Sequence, residues 1–138
     1  MSVKNILDHS FELTSAFEIS ITLANRIQPT SVLFQFRSYG RFVDVTIQPF
    51  VGHKYDIVGN FLISGKIPGG YLPMKIRNTY VSGLRIKDNN VIKEGAVQFQ
   101  TSGNLYIGLS SKEDNPTGLD KEGDFELLQP ITFTYKTA

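Results

Sequence analysis

Four acidic side chains, Asp114, Asp120, Glu122 and Asp124, fall in one stretch that also carries Gly118 and Gly123. Oxygen ligands on a flexible loop are what calcium requires. The order does not match an EF-hand, whose glycine sits at a fixed place among the ligands. Lys112 and Lys121 lie among the carboxylates, so the stretch reads as a solvated acidic loop, with no metal expected. Two carboxylates could also hydrolyse a glycosidic bond. The acid of such a pair needs a buried setting, and a loop rich in Gly, Asp and Lys predicts exposure. His53 lies in Gly52-His53-Lys54-Tyr55. With no G-x-S-x-G motif and no cysteine, a catalytic triad has no support. There is no phosphate loop or dinucleotide fingerprint, so no cofactor and no catalytic residue are expected. Tyr39, Arg41, His53 and Tyr55 form a different set, in or beside expected loops. Aromatic, guanidinium and imidazole groups are what a binding surface uses, although ordinary loop decoration is the plainer reading.

The 138 residues that must position these groups are one domain by size. A hydrophobic fraction of 41 %, with 10 Phe and 6 Tyr, supplies a core. Without cysteine there is no disulfide framework and no Cys-rich zinc site; His9 and His53 are the two histidines. The net charge of +1 with no basic run argues against nucleic acid. No basic region followed by a long apolar stretch marks a secretory leader, and no run is long enough to span a bilayer. A soluble product is expected.

Residues 1–15 read as a tether or short helix, with Leu7 and Phe11 one turn apart. From Ala16 the period becomes two. Phe17, Ile19, Ile21 and Leu23 alternate with polar residues, as do Val32, Phe34 and Phe36, then Val43, Val45 and Ile47. The last two runs flank a glycine turn and predict a hairpin. Val51–Asp56 reads as a loop and Ile57–Ile63 as a strand bulged at Gly59. Ile67-Pro68-Gly69-Gly70-Tyr71-Leu72-Pro73 reads as an ordered, non-helical crossing. Ile67, Tyr71 and Leu72 pin it to the core, and Gly69 or Gly70 is expected at positive φ. Thr79–Ile86 follows, with Tyr80, Leu84 and Ile86 on one side. Asp88-Asn89-Asn90 is a turn, and Gly95 is expected to break the returning strand. Val97–Thr101 and Leu105–Leu109 form a second hairpin around Ser102-Gly103-Asn104. Ser110–Asp124 is a long loop, and Ile131–Tyr135 a closing strand. The sum is an all-β chain: an antiparallel β-sandwich, jelly roll or small barrel of about eight to nine short strands, with a single β domain over 16–138.

From about Gly40 onward this order of features resembles the head domains of viral fibres and phage receptor-binding proteins. The resemblance rests on Gly40-Arg41-Phe42-Val43-Asp44-Val45 and on Ile63–Pro73, similar to a P-x-G-Y-x-P element. Ser102-Gly103-Asn104-Leu105-Tyr106-Ile107 and Ile131-Thr132-Phe133-Thr134-Tyr135 add to it. It implies a non-enzymatic homotrimer on the virion surface that binds a host-surface receptor, often a saccharide. A virophage or large-virus fibre head fits a head docked as a separate polypeptide, and a phage baseplate tip fits that case or one with a stalk. Such heads usually follow a stalk, so an upstream fibre or stalk protein is the implied partner, with no membrane insertion. Receptor residues in these heads lie in variable loops, so none is carried over by the resemblance; Tyr39, Arg41, His53 and Tyr55 are the receptor-binding candidates on their side-chain chemistry alone. The alternatives are a minor capsid, decoration or baseplate component without a receptor, and a polysaccharide-degrading enzyme.

Overall fold

A computed structural model describes residues 15–55, 61–74 and 78–137. Its strands are β1 (Ser15–Leu23), β2 (Thr30–Tyr39), β3 (Phe42–Ile47), β4 (Phe50–Lys54) and β5 (Ile63–Lys66). They continue as β6 (Thr79–Asp88), β7 (Val91–Phe99), β8 (Asn104–Leu109), β9 (Gly123–Leu127) and β10 (Ile131–Lys136). A four-stranded sheet has the order β1-β2-β3-β10, and a six-stranded sheet the order β4-β9-β6-β7-β8-β5. The chain is thus all-β with antiparallel sheets. The expected N-terminal tether or helix falls on residues 1–14, outside those described, and on Ser15, which opens β1.

The period-two runs bury one face each. Val32, Phe34 and Phe36 of β2, Val43, Val45 and Ile47 of β3, and Phe133 and Tyr135 of β10 point inward from one sheet. Leu84, Ile86, Val97, Phe99, Leu105, Ile107, Phe125 and Leu127 meet them from the other. Fully burying such a side chain is worth roughly 1.5–3 kcal/mol. The larger sheet is curled. Residues 24–28 reach both of its outer strands, Ala24 bridging to Ser64 and Ile27 to Lys54.

Hairpins β2–β3 and β7–β8 form as the pattern predicts, as does the Asn89-Asn90 turn, with φ of 50° and 68°. Elsewhere the structure corrects the pattern. Gly52-His53-Lys54 is not a loop but strand, paired with β9; its inward positions hold Gly52 and Lys54, which carry no apolar signal in the sequence. The ring of Phe125 fills the space beside Gly52, 2.3 Å from where a Cβ would stand. Phe125 and Leu127 belong to β9, hidden in the sequence behind the acidic loop. Gly95 does not break β7; it admits Ile86, whose Cδ1 lies 2.2 Å from the Cβ position. The expected strand over 57–63 falls largely outside the described residues, and β5 begins at Ile63.

The Pro-Gly crossing is pinned by buried Ile67 and half-buried Tyr71 and Leu72. Contrary to expectation it holds one 3-10 turn, Gly69–Tyr71, and neither glycine takes a positive φ or meets an atom at its Cβ position. Pro68 supplies only its carbonyl to this turn, accepting from Tyr71 N–H at 3.0 Å, so its missing donor costs nothing.

Candidate functional site

In β6, the register shifts between Ser82 and Leu84, and Gly83 takes a φ of 88°. Such a bulge inserts one residue and reverses which face the following side chains take. Leu84 and Ile86 therefore enter the core while Tyr80, expected beside them, faces outward with Gln98 opposite. β9 pairs with β6 only over Ile86–Asp88, so among the described strands the first half of β6 has no ladder on that side. β10, the outer strand of the other sheet, contacts β6 there. A groove of about 690 Å³ opens beside these strands.

Its walls are polar. Asn78 precedes β6, Thr79 and Tyr80 open it, Gln98 comes from β7, Glu113, Asp114 and Asn115 from the loop after β8, and Thr134 and Lys136 from β10. Gln98 is 4 % exposed. Its Nε2 donates to Asn115 Oδ1 at 2.7 Å and to the Asp114 carbonyl at 3.3 Å, and its Oε1 accepts from Gln100 at 3.0 Å. The Tyr80 hydroxyl accepts from Ser111 N–H at 3.1 Å. Ser111 Oγ donates to the Asn115 carbonyl at 2.6 Å. These bonds hold Asp114 at φ 57°, a conformation that needs support from its surroundings. At the groove floor the Tyr135 hydroxyl donates to the Tyr71 carbonyl at 2.6 Å. Burial, with Tyr71 beside it, pushes the Tyr135 phenol well above its usual range.

The groove thus offers a fixed loop backbone that carries the Glu113 and Asp114 carboxylates, amide and ammonium donors, hydroxyls and a tyrosine ring. Glu113 and Asp114 are exposed, which is the setting of a hydrogen-bonding carboxylate rather than a desolvated acid. The sequence pattern marks residues 110–124 as a surface loop and carries no link to Gln98 or β10. The one readable signal was the run of glutamines alternating with Val97 and Phe99.

The four residues expected to bind are split between the two ends of the smaller sheet. β1 runs alongside β2 from the Ser15–Ser38 pair to the Leu23–Thr30 pair. Tyr39 and Arg41 lie at the first end. His53 and Tyr55 lie past the second, where their backbones bond to Gln28 and Arg26. About 30 Å of strand separates the ends. Tyr39, Phe42, Asp44 and Thr134 line a smaller, apolar hollow of about 380 Å³, which shares Thr134 with the groove. The acidic residues also diverge. Asp114 faces the groove, Asp120 accepts from Lys93 at 2.9 Å, and Asp124 contacts His53 Nδ1 at 2.8 Å. No group of three His, Cys, Asp or Glu suited to a metal exists among the described residues.

A second polar cluster closes the far end of the larger sheet. Lys54 and Asp88 are fully buried, and Lys54 Nζ contacts Asp88 Oδ1. Lys93 Nζ, at 3.3 Å, and Asp120 N–H, at 3.0 Å, both donate to Asp88 Oδ2. Burial alone would raise the Asp88 pKa, but the bonds from Asp120, Lys54 and Lys93 outweigh it and hold it below the usual carboxylate value. Lys93 is raised by its bond to Asp120, against partial burial, with Asp88 adding to the rise.

No protein-family model matches the chain, and no curated protein is significantly similar to it. No helix among the described residues is long and apolar enough to cross a membrane.

Proposed function

We propose that this chain is a non-enzymatic binding head that attaches a virion to a host-surface saccharide, and that the groove between β6 and β10 holds the sugar. The observation that carries the reading is the pre-ordered polar wall: buried Gln98 holds the Asp114 carbonyl and the Asn115 amide, Tyr80 holds Ser111, and Ser111 and Asn115 hold the Glu113 backbone before any ligand arrives. Each sugar hydroxyl both donates and accepts, so a site with fixed groups of both kinds avoids most of the ordering cost of binding. The viral setting rests on the resemblance of the 40–45, 63–73, 102–107 and 131–135 segments to fibre and receptor-binding heads. Tyr39, which lines the hollow that shares Thr134 with the groove, falls at the margin of the site, and Arg41 lines neither. His53 and Tyr55 fall outside it.

A homotrimer on a fibre or stalk completes the proposal. Val51, Glu126, Lys87 and Ile92 form one row across β4, β9, β6 and β7 on the outer face of the larger sheet. Val51 is 64 % and Ile92 53 % exposed, with an acid and a base between them, a surface suited to association between copies. Several weak sites on one particle then gain through effective concentration. A glycan array tests the function: selective retention of a saccharide class supports attachment. No retention across a broad array, with the protein folded, points to a capsid, decoration or baseplate component instead. Turnover of a bound polysaccharide would replace both with an enzyme.

A further inference from the structure

We propose that Lys54 and Asp88 become joined by an intramolecular isopeptide bond that ties the outer strand β4 to the interior strand β6. The placement is unusual for an ion pair. Both side chains are fully buried, and Nζ lies against Oδ1. The Lys54 ammonium donates to Asp88 Oδ1, and burying a charged pair away from water is costly. An amide removes both charges and leaves one donor. Gly123 is the β9 residue opposite Lys54, and the Asn89 side chain fills the space that a Cβ there would take.

The other carboxylate oxygen is arranged as a tetrahedral intermediate needs. Oδ2 receives both the Lys93 ammonium and the Asp120 backbone N–H, two fixed donors aimed where negative charge develops. The reaction starts when one proton passes from Nζ to Oδ1, giving a neutral amine and a carboxylic acid. The Nζ lone pair then attacks Cγ, and Oδ2 carries the negative charge between its two donors. The Cγ–Oδ1 bond breaks, and Oδ1 leaves as water with its own proton and one from Nζ. Oδ2 remains as the amide oxygen. No oxidant, metal or activated donor is needed. The bonds that keep Asp88 ionised make the neutral pair a minor species, so bond formation is slow; loss of the water to bulk and exclusion of water from the closed core make it one-way.

Intact-mass measurement of the denatured wild-type protein, followed by tryptic mapping, tests this. The expected mass is one water below that of the unmodified chain. A branched peptide should join the segment carrying Lys54 to that carrying Asp88, with no cleavage after Lys54. Lys54→Met should show the full mass of its own unmodified chain; should that variant not fold, the wild-type mass and map still decide. The full unmodified mass with normal cleavage after Lys54 overturns the proposal. So does a lost water without a branched peptide, which is the signature of a cyclic imide at Asp88.

Discussion

Gln98 shows how one buried amide can shape a binding surface. It sits on the outer face of a strand whose inner face is core, and the 111–115 loop covers it. Gln98→Leu keeps the burial and removes the donor, leaving Asn115 Oδ1 and the Asp114 carbonyl without it. The expected stability loss is about 1 kcal/mol, read from urea midpoints, with a larger proportional loss of saccharide retention. Retention equal to wild type would mean that the loop is not what the ligand reads. Tyr135 gives a test by pH. Its folded phenol pKa lies above the ordinary 10.0, so its stabilisation is complete below about pH 10 and fades as pH rises toward the folded value. Tyr135→Phe should flatten the alkaline fall of the urea midpoint; Lys93, raised in the same direction, remains in both proteins. An unchanged slope would show that Tyr135 ionises without cost to the fold.

At the scale of elements, what could be read depended on what stood at the inward positions. β2, β3, β8 and β10 present Phe, Val, Ile, Leu and Tyr there, and their alternation is plain in the chain. β4 presents Phe50, Gly52 and Lys54, so its inward face carries no apolar rhythm, and its ladder with β9 rather than any local pattern makes it a strand. The β6 bulge hid the site itself: a single phase cannot place both Tyr80 and Leu84, and nothing local marks Gly83 as an inserted residue. Gly83→Val forces a branched side chain to φ 88°, with an expected cost of roughly 1–3 kcal/mol, measured as a lower melting temperature. No change would argue against the bulge and the outward Tyr80. The acidic loop is an element expected not to respond to calcium, since Asp120 and Asp124 face Lys93 and His53. A large calcium-dependent thermal shift, abolished by Asp120→Ala, would show that these ion pairs open for a metal.

For the whole molecule, the two-sheet architecture follows from the recurrence of short amphipathic strands, and the all-β expectation needed no long-range information. The groove did need it. Its walls come from β6, β7, β10 and the 113–115 loop, residues far apart in sequence that meet only because the two sheets stay unpaired along β6 and β10. Loop membership, the criterion that picked Tyr39, Arg41, His53 and Tyr55, carries no such geometry. Association is a separate matter at this scale. Light scattering after size exclusion should give three chain masses at micromolar concentration, and Val51→Glu should reduce it toward one; a wild-type monomer would remove the trimer from the proposal without touching the groove.

The most direct measurement is calorimetric titration of one array-selected saccharide into four proteins: wild type, Asp114→Ala, Asn115→Ala and the double variant His53→Ala/Tyr55→Ala. Groove binding requires that each groove substitution weaken affinity at least about tenfold, the scale of losing a charge-assisted or buried hydrogen bond, while the His53/Tyr55 variant binds as wild type does. Undiminished binding by both groove variants, or loss confined to the His53/Tyr55 variant, would place the sugar at the opposite end of the molecule.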